Sequence, residues 1–472
     1  MRDCAAIPPV MRSLAVLLLA LAPALALAQE PKPTPTPSPT PEVAPSPTTT
    51  EPPAEELPIL AEAPPLDYGR FRLGGFWLTP SLQVGNIVYD SNVLNQPTGE
   101  HRSDVSASAG PSLLAVLPFG AAGRVEIDGT AQYLYFVRTI EKRRLIGAVR
   151  GSLLWDTERT QFDLTEAWAR TNERPDPEVD ARILRDIEIT TLDLRRQVVG
   201  PFFIRGNGTW DHTRVLDKDP YLGNDLNKNL TRDRYFAGGE LEYAATIKTS
   251  LVGGGYRQWD RFPLDPTRDG ISDRAYGGIR VVSDTLLSGK VLLGYVWYQN
   301  DFDAVRRSFF ITDSQLSWSF SPRTEFAAGY KRDLDISAFD TDGETPTLLR
   351  EIADLHINKE LSLRVDLQLS ASHTRLLSDG NVTIVTPDGE VQQGVRNDNY
   401  WETRANLGYY IRENLRFGVQ GSYNQRQSDV DYFGIKGFVF GVTLSFTPPQ
   451  PNPRTRASSR TFDTTRPGKQ NY

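Results

Sequence analysis

The chain has 472 residues, 39% of them hydrophobic, with a formal net charge of −7 and one cysteine, Cys4. The negative charge argues against nucleic acid as a partner. Cys4 lies ahead of an expected cleavage site, so a mature chain would have no disulfide, thiolate metal site or cysteine nucleophile. Beyond residue 28 no apolar run is long enough to cross a membrane as a helix.

The stretch "MRSLAVLLLALAPALALAQE" starts at Met11 with one arginine, runs through a short apolar region broken by Pro23, and ends in Ala26-Leu27-Ala28 before Gln29. This is the pattern of a secretory signal peptide, residues 1–28, cleaved between Ala28 and Gln29. Next comes "PKPTPTPSPTPEVAPSPTTTEPPAEELP" (31–58), where proline fixes φ and removes donors; residues 29–73 are expected to be a disordered periplasmic linker. The last stretch, 447–472, is proline-rich and basic and is expected to be a disordered tail.

Between these lie residues 74–446, where segments of period 2 recur between turns. "RVEIDGTAQYLYF" sets Val125, Ile127, Ala131, Tyr133 and Tyr135 against Arg124, Glu126, Asp128, Thr130 and Gln132. "LSLRVDLQLSASHT" sets Leu361, Leu363, Val365, Leu367 and Leu369 against Ser362, Arg364, Asp366, Gln368 and Ser370. "WETRANLGYYI" and "LRFGVQGSYNQR" alternate in the same way. A soluble antiparallel sandwich alternates too, so connection lengths must separate the two readings. Eight connections read as short: Phe119–Gly123, Thr157–Thr160, Gly200–Pro201, Ile247–Thr249, Asp284–Leu286, Ser321–Thr324, Lys359–Glu360 and Arg412–Asn414. They interleave with mostly longer ones, near 91–104, 172–186, 216–232, 261–272, 338–347 and 377–396. Short turns at one end and long loops at the other predict an all-β protein, a transmembrane antiparallel outer-membrane β-barrel of about 18 strands.

Aromatic placement agrees. Tyr133, Tyr135, Trp210, Tyr295, Trp297, Trp401 and Tyr423 fall at the long-loop ends of their strands, and Trp318, Phe320, Tyr409, Tyr410 and Phe446 near the short turns. Two aromatic girdles around an apolar band are expected where a barrel meets both interfaces. In "KVLLGYVWYQND" (290–301), Trp297 then faces lipid while Lys290 and Val296 face inward. "SLVGGGYRQWDRF" (250–262) has no clean outward face, and Arg332 reads as outward, snorkelling to the rim.

The inward positions carry both signs of charge: Arg124, Glu126, Asp128, Arg205, Asp211, Glu240, Glu242, Lys290, Glu325, Lys331, Asp333, Arg364, Asp366, Glu402, Arg404, Arg416 and Arg426. They read either as the lining of a polar passage or as cross-strand ion pairs that stiffen the interior. Arg364, Arg404 and Arg416 are expected to form a basic strip on one wall, partly offset by Asp366 and Glu402. No catalytic or metal site is expected. The four histidines are scattered, Ser372 and His373 point to opposite faces of one strand, and Asp217, Asp219 and Asp225 read as a solvated acidic loop rather than a calcium site. No cofactor is implied.

The opening strand "PSLQVGNIVYDSNVLNQ" (Pro80–Gln96), with its Tyr-Asp-Ser-Asn-Val end, resembles the start of bacterial proteins of the putative β-barrel porin 2 family. The resemblance implies a barrel in the Gram-negative outer membrane, often encoded with exopolysaccharide synthesis and export functions, and gives no catalytic residues to carry over. Its implied partners are outer-membrane lipid, the outer-membrane assembly machinery, and polysaccharide or export proteins. The chain departs from outer-membrane proteins in general at its end, where the aromatic expected to be terminal is internal, as Phe446 in "FVFGVTLSF". The leading expectation is a porin-like or polysaccharide-associated conduit. The alternative is a structural barrel with a closed lumen and partner-binding loops.

Overall fold

The computed structural model describes residues 71–446 apart from 95–101, 121, 176–177, 180, 218–219, 283–285, 303–305, 322, 340–346, 386–388, 413 and 431–432. The expected signal peptide with its Ala28–Gln29 cleavage site, nearly all of the linker, and the tail lie outside the described residues.

The strands are β1 (Phe71–Leu73), β2 (Phe76–Asp90), β3 (Asp104–Phe119), β4 (Gly123–Phe136), β5 (Arg144–Asp156), β6 (Thr160–Glu173), β7 (Ile183–Val199), β8 (Phe202–Val215), β9 (Arg232–Ala244) and β10 (Thr249–Arg261). They continue as β11 (Gly270–Val281), β12 (Leu287–Asn300), β13 (Arg306–Ser321), β14 (Thr324–Ile336), β15 (Thr347–Ser362), β16 (Val365–Val385), β17 (Val391–Arg412), β18 (Leu415–Ser428) and β19 (Ile435–Phe446). One short helix, α1 (Leu226–Leu230), lies in the loop between β8 and β9. Each strand from β2 onward pairs antiparallel with the next, and β19 pairs back onto β2 from Phe446↔Leu82 to Val439↔Asp90. The sheet is therefore a closed barrel of 18 strands. β1 is a three-residue addition that pairs with the start of β2.

Closure removes both sheet edges, so every strand interior has a hydrogen-bonding partner on each side, the condition for strands in lipid. Side chains then divide by register. On β12 Leu287, Val291, Leu293, Tyr295 and Trp297 are exposed on one face, while Leu292, Val296 and Tyr298 are buried on the other. The same exposed apolar face continues around the barrel through Leu316 and Trp318, Leu407 and Tyr409, Phe438 and Phe440, Tyr133 and Leu145, and Ile204 and Leu241. A band of that extent is far larger than a water-soluble monomer exposes. It meets lipid, and the opposite face is the lumen.

β10 has an outward face that mixes Leu251 and Trp259 with Gly253, Gly255 and Arg257, which explains its weak sequence signal. Its inward glycine, Gly254, would bring an added Cβ to 2.6 Å from the Gly239 carbonyl oxygen. Nearby, Gly238 leaves room for the Cβ of Tyr256 and Gly294 for that of Tyr276. The rings of Phe236, Tyr256 and Tyr276 follow one another along the inner wall at centroid separations of 4.2 and 6.3 Å.

Two sequence expectations about boundaries change. The short turn expected at Lys359–Glu360 lies instead at Leu363–Arg364, because β15 runs on to Ser362. The long loop expected near 377–396 is largely strand: β16 and β17 have 21 and 22 residues and project beyond their neighbours as a hairpin, with a register irregularity between Leu377 and Asn381. The β-branched run in "NVTIV" sustains pairing past the barrel rim.

On β16 Leu367 faces outward beside Leu407, and Gln368 faces the lumen between Asn358 and Asn406. Leu367→Arg is expected to cost roughly 2–4 kcal/mol, while Gln368→Arg is nearly neutral, measured as urea unfolding of the protein folded into vesicles. Equal cost for the two changes would contradict the register.

Candidate functional site

The lumen wall from β7 to β11 carries interlocked ion pairs. Arg195 grips Glu242 through Nε and Nη2, both at 2.9 Å. Arg280 bridges Glu240 (2.9 Å) and Glu242 (3.4 Å), and Ser250 donates to Glu242 at 2.8 Å. Arg205 pairs with Asp193 at 2.7 Å. Asp211 accepts from Thr213 at 3.3 Å. These strands place the charges side by side because the pleat brings every second residue inward and the ladder aligns neighbours.

Nearer the long loops, β14 leaves the wall. Its pairing with β13 stops at Thr312↔Arg332, yet it continues to Ile336 beside β15. The freed end reaches other strands. Asp335 meets Arg350 (2.9 Å), Arg234 (3.3 Å) and Arg232 (3.5 Å), and Asp333 meets Arg274 (3.1 Å). Arg234 is also held by Asp260 at 3.0 Å. Leu334 and Ile336 pack with Phe262, Val296, Tyr298 and Ile311. The β14 end thus leans into the lumen and narrows it.

The remaining wall is more open in chemistry. Gln368, Ser370, Ser372, Asn406, Gln420, Ser422 and Thr443 share the inner face of β16–β19 by register. The charges here are paired: Arg416 with Asp366 (2.8 Å) and Asn406 (3.2 Å), and Arg404 with Glu402 (2.8 Å). Arg404 is 60% exposed, so it still faces solvent. Arg364, expected on this face, sits instead in the two-residue turn before β16, outside the lumen. The expected basic strip is therefore reduced to two neutralised arginines. Elsewhere on the inner face Arg124 pairs with Glu126 (2.6 Å), Asp128 with Arg150 (3.4 Å), Lys290 with Asp313, and Lys331 with Asp333 (3.8 Å), while Glu325 accepts from Ser317 at 2.7 Å.

The long-loop end is covered. Val179, Ile183, Val215, Leu226, Ala338, Phe339, Val382, Ile384 and Phe433 form one buried cluster drawn from both sides of the barrel. At its centre Arg396, 0% exposed, donates from Nε to Asp398 (2.7 Å) and from Nη2 to the backbone carbonyl of Glu178 (3.0 Å). Its guanidinium lies 3.7 Å from the ring centroid of Phe433 and 5.1 Å from that of Phe339. Arg426 reaches Asp398 at 3.4 Å. The Glu178 carboxylate accepts from the Ser337 hydroxyl and from the backbone N–H of Ala338 at 2.7 Å. Arg174 donates to the Tyr400 hydroxyl at 3.3 Å, and Asn229 to the Ala338 carbonyl at 2.9 Å. A loop after β6 is thus tied to β17, and the loop after β14 to both, making a lid across the mouth.

Two residues of the expected acidic loop are structural. Asp217 accepts from the Leu184 backbone N–H (2.9 Å), and Asp225 caps α1 through the N–H groups of Asn227 and Lys228. Asp219 lies outside the described residues. On the outer face Arg332 meets Glu351 at 3.4 Å, so its charge is paired rather than snorkelling alone. The lid residues Glu178, Arg396 and Asp398 escaped sequence reading because they fall in or beside stretches expected to be loops. The alternation of Val382 and Ile384 was the one local signal there.

The putative beta-barrel porin 2 family model matches residues 65–447, and the chain belongs to that family. It is an outer-membrane, porin-like β-barrel. No curated protein matches the chain. Similar solved structures include Pseudomonas aeruginosa OpdK with vanillate (10% identity, 78% of this chain and 98% of that one, TM-score 0.40). OccK2 (OpdF) of the same species in complex with glucuronate gives 11% identity, 79% and 98% coverage and a TM-score of 0.42. Acinetobacter baumannii OccAB3 gives 10% identity, 78% and 98% coverage and a TM-score of 0.41.

Removing the guanidinium would leave the Asp398 carboxylate buried with only partial compensation. Arg396→Met is expected to weaken the lid by roughly 3–5 kcal/mol. Hydrogen exchange should then accelerate at Ala338, Phe339 and Phe433 while amides of β12 remain protected. Unchanged exchange in the loops would show that the buried cluster does not hold the lid.

Proposed function

We propose that the protein is a conduit for small polar solutes across the outer membrane, closed at rest by its loop lid. The observation that carries this reading is a polar lumen beneath a mouth spanned by loops tied through one buried arginine, Arg396. An interior meant only to stiffen a barrel could be filled with apolar side chains at lower electrostatic cost. Here one wall keeps amides and hydroxyls, with Arg404 and Gln368 exposed to the lumen. Family membership supports a porin-like role. Carriage of polysaccharide is a narrower form of the same reading. Its support is the resemblance of the opening strand and the hydroxyl-rich wall of β16–β19.

The lid itself favours a second reading, in which the lumen stays shut and the loops bind a partner. Planar-bilayer recording separates the two. Wild-type protein is expected to open rarely, and Arg396→Met to raise the open probability at least severalfold. Because the lumen charges are paired, Arg404→Gln in the Arg396→Met background should move ion selectivity only modestly toward cations. Absence of current from both wild type and Arg396→Met would overturn the conduit and leave the closed barrel.

A further inference from the structure

The two ends of the barrel treat their charges differently. At the long-loop end three outward-facing arginines meet carboxylates: Arg170 with Asp186 at 2.7 Å, Arg257 with Asp273 at 2.6 Å and Arg332 with Glu351 at 3.4 Å. At the short-turn end Arg159, Arg196, Lys248, Arg323, Arg364 and Arg412 are all exposed, and none pairs with a carboxylate among the described residues. Within these turns the only described carboxylate is Glu158, with Asp156 and Glu360 at the adjoining strand ends. Among the described residues, cations outnumber carboxylates at this rim.

Their neighbours are apolar. Leu363, beside Arg364 at the apex of its turn, is 86% exposed. Ile247 beside Lys248, Ile411 beside Arg412, Val198 and Val199 after Arg196, and Leu361 after Lys359 are likewise exposed. In a turn that hung free in water, this apolar exposure would be unfavourable. In the headgroup layer it is favourable: the apolar groups enter the acyl boundary while the adjacent cations sit at phosphate depth.

We propose that the short-turn rim is a binding surface for anionic phospholipids, with these arginines and lysines holding headgroup phosphates of the periplasm-facing leaflet. The inference rests on the barrel and its membrane placement, not on conduction, so the lumen could prove closed without affecting it. Guanidinium groups spread over separate turns suit several lipids rather than one. Each cation near an anionic surface enriches such lipid about fivefold.

The test uses the full chain in mixed micelles with phosphatidylglycerol or phosphatidylcholine, with lipids retained on the folded protein counted by native mass spectrometry. Wild type is expected to retain phosphatidylglycerol at least tenfold over phosphatidylcholine. The variant combining R159Q, K248Q, R323Q and R364Q should lose most of that preference while keeping the heat-shifted gel mobility of a folded barrel. Should the variant not fold, the wild type carries the test, because its preference should collapse as salt rises and the screening length falls. Equal retention of the two lipids by wild type, a preference insensitive to salt, or an unchanged preference in the folded variant would overturn the proposal. Complete displacement of the lipid by equimolar inorganic phosphate would also overturn it, since the rim would then recognise free anions rather than a lipid surface.

Discussion

The fold depends on one closure, the pairing of β19 with β2. In hydrocarbon an unpaired backbone N–H or C=O costs several kcal/mol, so an open sheet of this length could not sit in a bilayer. The seam has an irregularity between Val442 and Thr443, opposite Gly85 and Ile87. There the exposed apolar side shifts from Leu82 and Val84 to Ile87 and Tyr89, as one extra residue on β2 restores the alternation. Once the ring is closed, the pleat decides everything else about side chains. Half of each strand must suit lipid, and the other half inherits the polar residues.

That inheritance explains the character of the interior. Charges gathered inside a narrow barrel have less water than charges on a surface, so each needs a partner. Arginine fits the task because its planar fork engages a carboxylate through two nitrogens, as Arg195 does with Glu242 and Arg416 with Asp366. The inward lean of β14 follows the same logic. It brings Asp333 and Asp335 within reach of arginines on β9 and β11 and closes apolar contacts beneath them. The constriction made by β14 is therefore built from paired charge, with each of its aspartates held by at least one arginine.

Much of this was legible in the sequence because period 2 is a strong local signal once it repeats. Strand number, all but one of the short-turn positions, and the faces of residues such as Leu367, Trp297 and Tyr133 followed from alternation and aromatic placement. What failed was non-local. Whether Arg364 belongs to a strand or a turn depends on where β15 ends, and Ser362 carries no turn signal strong enough to say. Pairing partners such as Arg234 with Asp335 join strands far apart in sequence, through a departure from the wall that alternation cannot express. The lid was missed for a similar reason. Its apolar residues come from several loops and from the ends of β7, β8 and β16, and they are brought together only by the closed barrel.

The lid and the short-turn rim answer the same physical problem at opposite ends. A barrel end exposes backbone turns and polar side chains to a boundary, and both must be anchored. At the long-loop end the chain is long enough to bury an apolar cluster, and Arg396 is stabilised inside it by Asp398 and by the faces of Phe339 and Phe433. At the other end the turns are too short to pack on one another. In the lipid-binding proposal their apolar residues and cations find partners outside the protein, in a membrane that supplies both an acyl boundary and phosphate at that depth. Loop length thus decides which end of the molecule completes itself and which is completed by lipid.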